Sequence, residues 1–183
     1  MKDPIEELTK ALVVVGKRFL PPIYLVILVG LLGCASLPPA VEKAPPFNGF
    51  MGARWGITIE EAKKVMDPEG KKLFLDGTDR SPYALYASGS YLDSPAIFSY
   101  FFTPRSKKLY RIDVTLKDLR LYEKGKNDLI EKLGPPFYSQ PGVDHWSYSD
   151  KSLVILQKEP DYFQISYSGG EMLKLNHQEM GQI

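Results

Sequence analysis

The residue best placed to do chemistry is Cys34, the only cysteine in the chain. It stands behind Lys17-Arg18, an apolar run from Ile23 to Leu32, and the small residue Gly33. Cations, a short apolar stretch and a small residue before the cut are the layout of a secretory signal. The run falls well short of the roughly 20 residues that a helix needs to span a bilayer. A lone thiol in an exported chain has no internal disulfide partner, so its position calls for other chemistry. The two histidines offer less. Asp144 and His145 are adjacent, so on a strand they point to opposite faces and form no dyad. His177 falls in a polar C-terminal stretch. No H-E-x-x-H, G-x-S-x-G or Walker loop occurs. Without a convergent set of titratable residues, the chain is expected to be non-enzymatic, with no metal and no cofactor.

Leu31-Leu32-Gly33-Cys34 resembles the lipobox of bacterial lipoproteins. The resemblance implies cleavage after Gly33 and a diacylglycerol joined to Cys34 through a thioether. Each buried CH₂ contributes roughly 0.8 kcal/mol, and two chains already give a stable anchor. Residues 1–33 would then be a signal peptide. Asp3, Glu6 and Glu7 put acids where its first region should be basic. Either that region is unusually long, or translation starts near Val15 and leaves a compact Gly16-Lys17-Arg18; charge order favours the second. Residues 34–46 carry Pro38-Pro39 and Pro45-Pro46, which favour an extended, semi-rigid tether. Ala35 follows the cysteine where lipoproteins kept at the inner membrane carry aspartate. In a source with two membranes this resembles the class sorted to the periplasmic face of the outer membrane.

Cys34 must be carried by a domain, and residues 47–170 are expected to form it. Thr58-Ile59-Glu60-Glu61 is a capping box, Ile59, Ala62, Val65 and Met66 repeat at helical spacing, and Asp67-Pro68 ends the pattern. Strands are expected over 83–88, 96–103 and 109–117, with a turn at 103–108; along the last, Tyr110, Ile112, Val114 and Leu116 define a core face and Arg111, Asp113, Thr115 and Lys117 a wet one. A second helix over 119–133 buries Tyr122, Leu129, Ile130 and Leu133 and closes at Gly134 before Pro135-Pro136. Strands follow over 143–149, 152–157 and 162–168. Residues 171–183 read as a tail, frayed from Asn176 onward. Helix, strands, helix, strands describe an α+β two-layer sandwich: an antiparallel sheet with two helices on one face. The halves, about 47–117 and 118–170, make a weak tandem helix-meander repeat.

Leu133-Gly134-Pro135-Pro136 with Trp146-Ser147-Tyr148, and Gly56-Ile57-Thr58-Ile59-Glu60-Glu61 before them, resemble the motifs of SmpA/OmlA-type lipoproteins. That family is a small component of the outer-membrane β-barrel assembly machinery. There the two motifs lie in one short unit, whereas here they are far apart. This spacing is similar to tandem αβ units of the β-lactamase-inhibitor-protein-like kind. The resemblance implies a protein-interaction or structural module, or alternatively a ligand-binding or enzyme-inhibitor module.

Cations and acids balance over residues 34–183, which argues against nucleic acid as a partner. The expected partners are the bilayer, through Cys34, and another envelope protein. The chain is rich in rings, with 11 Tyr, 9 Phe and 2 Trp, and one strand uses them unusually. In Ile97-Phe98-Ser99-Tyr100-Phe101-Phe102 both faces carry large side chains. If Phe98, Tyr100 and Phe102 join the core, Ile97 and Phe101 project from the other side. They are then either covered by Phe47, Phe50 or the segment from Met172, or they meet a partner.

Overall fold

The computed structural model describes residues 47–181; the readings at Gly33, Cys34 and the 34–46 tether lie outside them. A small hairpin, β1 (Gly49–Phe50) and β2 (Ala53–Arg54), precedes the first helix, α1 (Ile59–Met66). Its capping box forms as the sequence reads. Thr58 Oγ1 accepts from the Glu61 amide at 3.3 Å, and Glu61 Oε2 accepts from the Thr58 amide at 2.7 Å. Ala62 and Met66 are buried, while Glu60 and Lys64 stay in water. Four strands follow: β3 (Lys72–Gly77), β4 (Ala84–Tyr91), β5 (Ser94–Phe102) and β6 (Leu109–Leu116). A 3₁₀ turn at Leu119–Leu121 leads into α2 (Tyr122–Leu133). Four more strands complete the sheet: β7 (Tyr138–Gln140), β8 (Val143–Ser147), β9 (Leu153–Lys158) and β10 (Phe163–Ser168).

The eight strands form one antiparallel sheet in the order β3-β4-β5-β6-β10-β9-β8-β7. Each half is thus a helix followed by a four-strand meander, and the last strand of each meets the other at the centre. Phe163, Ile165 and Tyr167 on β10 stand opposite Leu116, Val114 and Ile112 on β6. These six and Phe98, Tyr100, Phe102, Leu85, Val154 and Leu156 are buried in one core. Burying each large apolar side chain contributes roughly 1.5–3 kcal/mol. α1 and α2 cover this side of the sheet with matching stripes, a small residue and then a large one four positions on: Ala62 and Met66, Gly125 and Leu129. Gly125 marks a close approach, because a Cβ there would lie 3.4 Å from the Phe163 ring. The fold is an α+β two-layer sandwich.

Three expectations need correction. Residues 72–77 and 138–140 are two further strands, at the sheet edges, outside the expected set; Lys72-Leu73-Phe74-Leu75-Asp76 lacks the alternation that marks a strand. Tyr110 does not lie with Ile112, Val114 and Leu116. The β5–β6 register shifts between Phe101 and Phe102, so Phe102 pairs with Leu109, Phe101 pairs with Arg111, and Tyr110 is the extra residue of a bulge. Bulges re-aim a side chain, and Tyr110 turns towards Phe101, their ring centroids 6.5 Å apart.

The tail expected from 171 is instead helical through Met180, and residues 182–183 lie outside the described residues. Gly170–Met180 is a helix, α3. The chain enters it through a gap only glycine fits: a Cβ on Gly169 would meet Trp55 at 2.4 Å, and one on Gly170 the Asp150 carbonyl at 1.9 Å. The inward stripe of α3 is Met172, Leu175, Asn176 and Glu179, with the last two buried. Polar residues on the buried side hid the helix from a hydrophobic reading. Glu179 is its anchor. Oε2 accepts from the amides of Arg105 and Ser106 at 2.6 and 3.0 Å, and Oε1 from the Ser106 hydroxyl at 2.6 Å.

Burial pushes the Glu179 carboxyl up, but hydrogen bonds from the Ser106 hydroxyl and the two amides outweigh it and leave the group below its ordinary value. A depressed carboxylate stabilises the fold above its unfolded pKa, and the contribution is lost as pH falls through the folded value. Glu179→Ala should therefore cost about 2 kcal/mol at neutral pH. Urea unfolding should show the gap between variant and wild type narrowing as the pH falls through the folded Glu179 value.

Candidate partner-binding face

The strand alternation that buries one side of the sheet sets the composition of the other, which α1 and α2 leave open. Register defines its rows. One runs Tyr86, Ser99, Asp113, Ser166, Ile155, His145, Tyr138 across β4, β5, β6, β10, β9, β8 and β7. The row to one side contains Ser88, Ile97, Thr115, Gln164 and Gln157; the row to the other contains Ala84, Phe101, Arg111, Ser168 and Leu153. Ile97 and Phe101 both project from this face, as expected from their strand.

Neither is covered by the segments that could have hidden it. Phe50 stacks on Tyr167 with centroids 4.0 Å apart, and Phe47 packs edge-on against Trp55, Tyr148 and Tyr167. Tyr167 belongs to the buried side, so Phe47 and Phe50 seal the helix layer. Met172 lies at Gly56. Ile97 remains 38 % exposed. Beside it a groove of about 580 Å³ is lined by Pro95, Thr115, Lys117, Asp118 and Tyr162. Phe101 is half-buried by different means: the Arg111 guanidinium lies over its ring, 4.2 Å from the centroid, and Tyr110 flanks it. The bulge makes this arrangement, because it brings Tyr110 and Arg111 to the same side.

Asp113 is the unexpected member. It lies on the open face, yet it is only 3 % exposed. Its Oδ2 accepts from Arg111 Nη2 at 2.8 Å and from Gln164 Nε2 at 3.1 Å, while Oδ1 and Arg111 Nε have no hydrogen-bond partner. Burial pushes the Asp113 carboxyl above its usual range; the Arg111 charge, the neighbouring Ser166 hydroxyl and the Arg111 hydrogen bond pull it part of the way back. Periodicity alone placed Asp113 on a wet face. The signal available in the sequence was its neighbours: bulky Phe101 and Tyr110 and an arginine two positions away.

The remaining chemistry belongs to the helix side. Asp144 is buried and paired with Lys126 of α2 at 2.9 Å, whereas His145 faces out beside Tyr138. The two adjacent residues therefore point to opposite sides and form no dyad. Lys71 lies buried over the Phe98 ring, 3.7 Å from Glu69, and burial lowers its ammonium. Among the described residues no group of three His, Cys, Asp or Glu could hold a metal ion. Nor is any helix among them long and apolar enough to cross a membrane.

No family model, curated protein or solved structure matches this chain. The open face offers an exposed Ile97 beside a groove, a ring beneath a cation, and a charge pair set into the sheet. Removing Arg111 would strand the Asp113 carboxylate. The full cost of breaking a buried pair is about 3–5 kcal/mol, but Arg111 keeps about a third of its side chain in water. Arg111→Leu should thus lower stability at neutral pH by about 2 kcal/mol, measured by chemical unfolding.

Proposed function

We propose that this chain is a membrane-anchored lipoprotein of the bacterial envelope that acts as a non-enzymatic protein-interaction module. Cys34 holds the lipid, residues 34–46 act as the tether, and the open sheet face is the docking surface. In a two-membrane source, Ala35 directs it to the periplasmic face of the outer membrane. One observation carries the docking part: Ile97 and its groove stay open on a sheet whose other side is sealed by α1, α2, Phe47 and Phe50. Large apolar side chains beside a groove suit an anchor residue from a partner. Support for the anchor comes from the order of cations, apolar run, Gly33 and Cys34.

The alternative rests on the resemblance to tandem αβ units of the β-lactamase-inhibitor-protein-like kind: an inhibitor-like module that binds a soluble enzyme. The identity of the captured protein separates the two. A stoichiometric membrane protein in a pull-down from detergent-solubilised membranes supports the first reading; a soluble enzyme supports the second.

Two measurements test the proposal. Mass spectrometry of the membrane-extracted protein should find the chain beginning at an acylated Cys34, and Cys34→Ala should accumulate unprocessed. A free Cys34 thiol in processed, soluble protein would refute the anchor. For the docking face, Ile97→Arg should leave the melting temperature within about 2 °C and remove the partner from the pull-down. Phe101→Ser should weaken capture and also destabilise, because its ring is clamped by Arg111. Full capture by both variants would end the docking reading.

A further inference from the structure

The anomaly on the open face is a carboxylate kept from water where water should be plentiful. Asp113 sits on β6 at the seam between the two halves of the sheet. Across the ladder it faces Ser99 on β5 and Ser166 on β10, and Gln164 reaches it diagonally. None of these three is charged. From β6 itself the groups in reach are Arg111, in contact at 2.8 Å, and the Tyr110 phenol, which burial holds above its ordinary range and neutral at physiological pH. Among the described residues Arg111 is therefore the charged group that faces Asp113 on this side. Among them, too, its acid partner is Asp113. The guanidinium, stacked on Phe101, has part of its surface in solvent at the centre of the proposed docking face.

Two states of this pair follow from elementary chemistry. With Asp113 ionised, the pair is neutral and Arg111 is held by its neighbour. When a proton adds to Oδ1, the oxygen that accepts no hydrogen bond, the acid becomes neutral and Arg111 keeps its charge. The face gains one positive charge, and the guanidinium becomes free to bond a carboxylate from outside.

We propose that Asp113 and Arg111 form a proton-controlled cation on the open sheet face, which turns towards acidic partners as the pH falls. The inference rests on the reading of that face as a docking surface. The direction in which burial moves the Asp113 carboxyl places the transition above the ordinary range of aspartate. The sign for stability follows. Between the unfolded and folded pKa values the folded chain holds the extra proton, so the Asp113 contribution makes the fold less stable as pH rises through that window.

The test reads the pair directly and needs no partner. In the full chain, labelled with ¹³C at aspartate carboxyls and ¹⁵N at arginine Nε, the Asp113 and Arg111 signals are assigned by their loss in Asp113→Asn and Arg111→Lys. Asp113 should titrate above free aspartate, and Arg111 Nε should shift with the same midpoint. In Asp113→Asn the Arg111 shift should vanish. Its stability, followed by urea unfolding, should also fall less than that of wild type between pH 4 and 7. An Asp113 midpoint at or below the free value, or an Arg111 signal that does not follow it, overturns the proposal. Those outcomes leave the docking reading standing. Full capture by Ile97→Arg and Phe101→Ser, by contrast, removes the docking face without touching the titration.

Discussion

The structure depends on the pairing of β6 with β10. Neither meander closes on itself, and among the described residues the ladder joining them runs between these two strands. Three opposed pairs, Leu116 with Phe163, Val114 with Ile165 and Ile112 with Tyr167, are buried on the helix side. A slip of one residue would turn every one of those side chains to the open face. The opposite face of the same seam carries its own register marks: Arg111 bonds Asp113, Gln164 Nε2 bonds Asp113, and the Thr115 hydroxyl bonds Gln164. Apolar pairs drive the joint together, and polar contacts discriminate against neighbouring registers.

The start of β6 is tied down in a second way. The Gly56 amide donates to the Leu109 carbonyl at 2.8 Å, the Leu109 amide to Ile57 at 2.9 Å, and the Gly169 amide to Tyr110 at 3.1 Å. Segments from both ends of the domain therefore converge on the bulge. The extra residue lets Leu109 stay in the core while Arg111 stays on the open face, and it swings Tyr110 outward to flank Phe101. A bulge here is thus a positioning device: without it, Phe101 would lack one of its two walls.

Much of the frame was legible in the sequence because it obeys simple periods. The capping box at Thr58, the stop at Gly134-Pro135-Pro136 and the alternation of Ile112, Val114 and Leu116 each report one local rule, and each is found as read. The opposite projections of Phe98 and Ile97, and of Asp144 and His145, follow from the two-residue period of a strand. What stayed hidden depends on contacts distant in sequence. α3 buries Asn176 and Glu179, and only the β5–β6 turn, some seventy positions earlier, explains an inward carboxylate. Tyr110 left its expected face because of a register shift set by the partner strand. Asp113 falls on the face that alternation reads as wet, because Gln164 and the seam that help close over it are distant in sequence.

The two halves share a helix side and differ on the other, and this difference is where function can be written. Under α1 and α2 the requirements are the same: a small residue for close approach, a large one four positions on, and opposed apolar pairs below. Those positions are bound by packing density, where a single methylene is felt. The open face has no such constraint, because the core is complete without it. Across β4 and β5 it presents Tyr86, Ile97 and Phe101; across β8 and β9 it presents Val143, His145, Ile155 and Gln157. A fold doubled in this way keeps one core pattern and acquires two distinct surfaces on a single continuous sheet. Arg111 and Asp113 lie between those surfaces, on the strand that belongs to the first half and pairs with the second. A charge change at that pair would alter the electrostatic potential of both surfaces at once, and no residue nearer either edge of the sheet is placed to do the same.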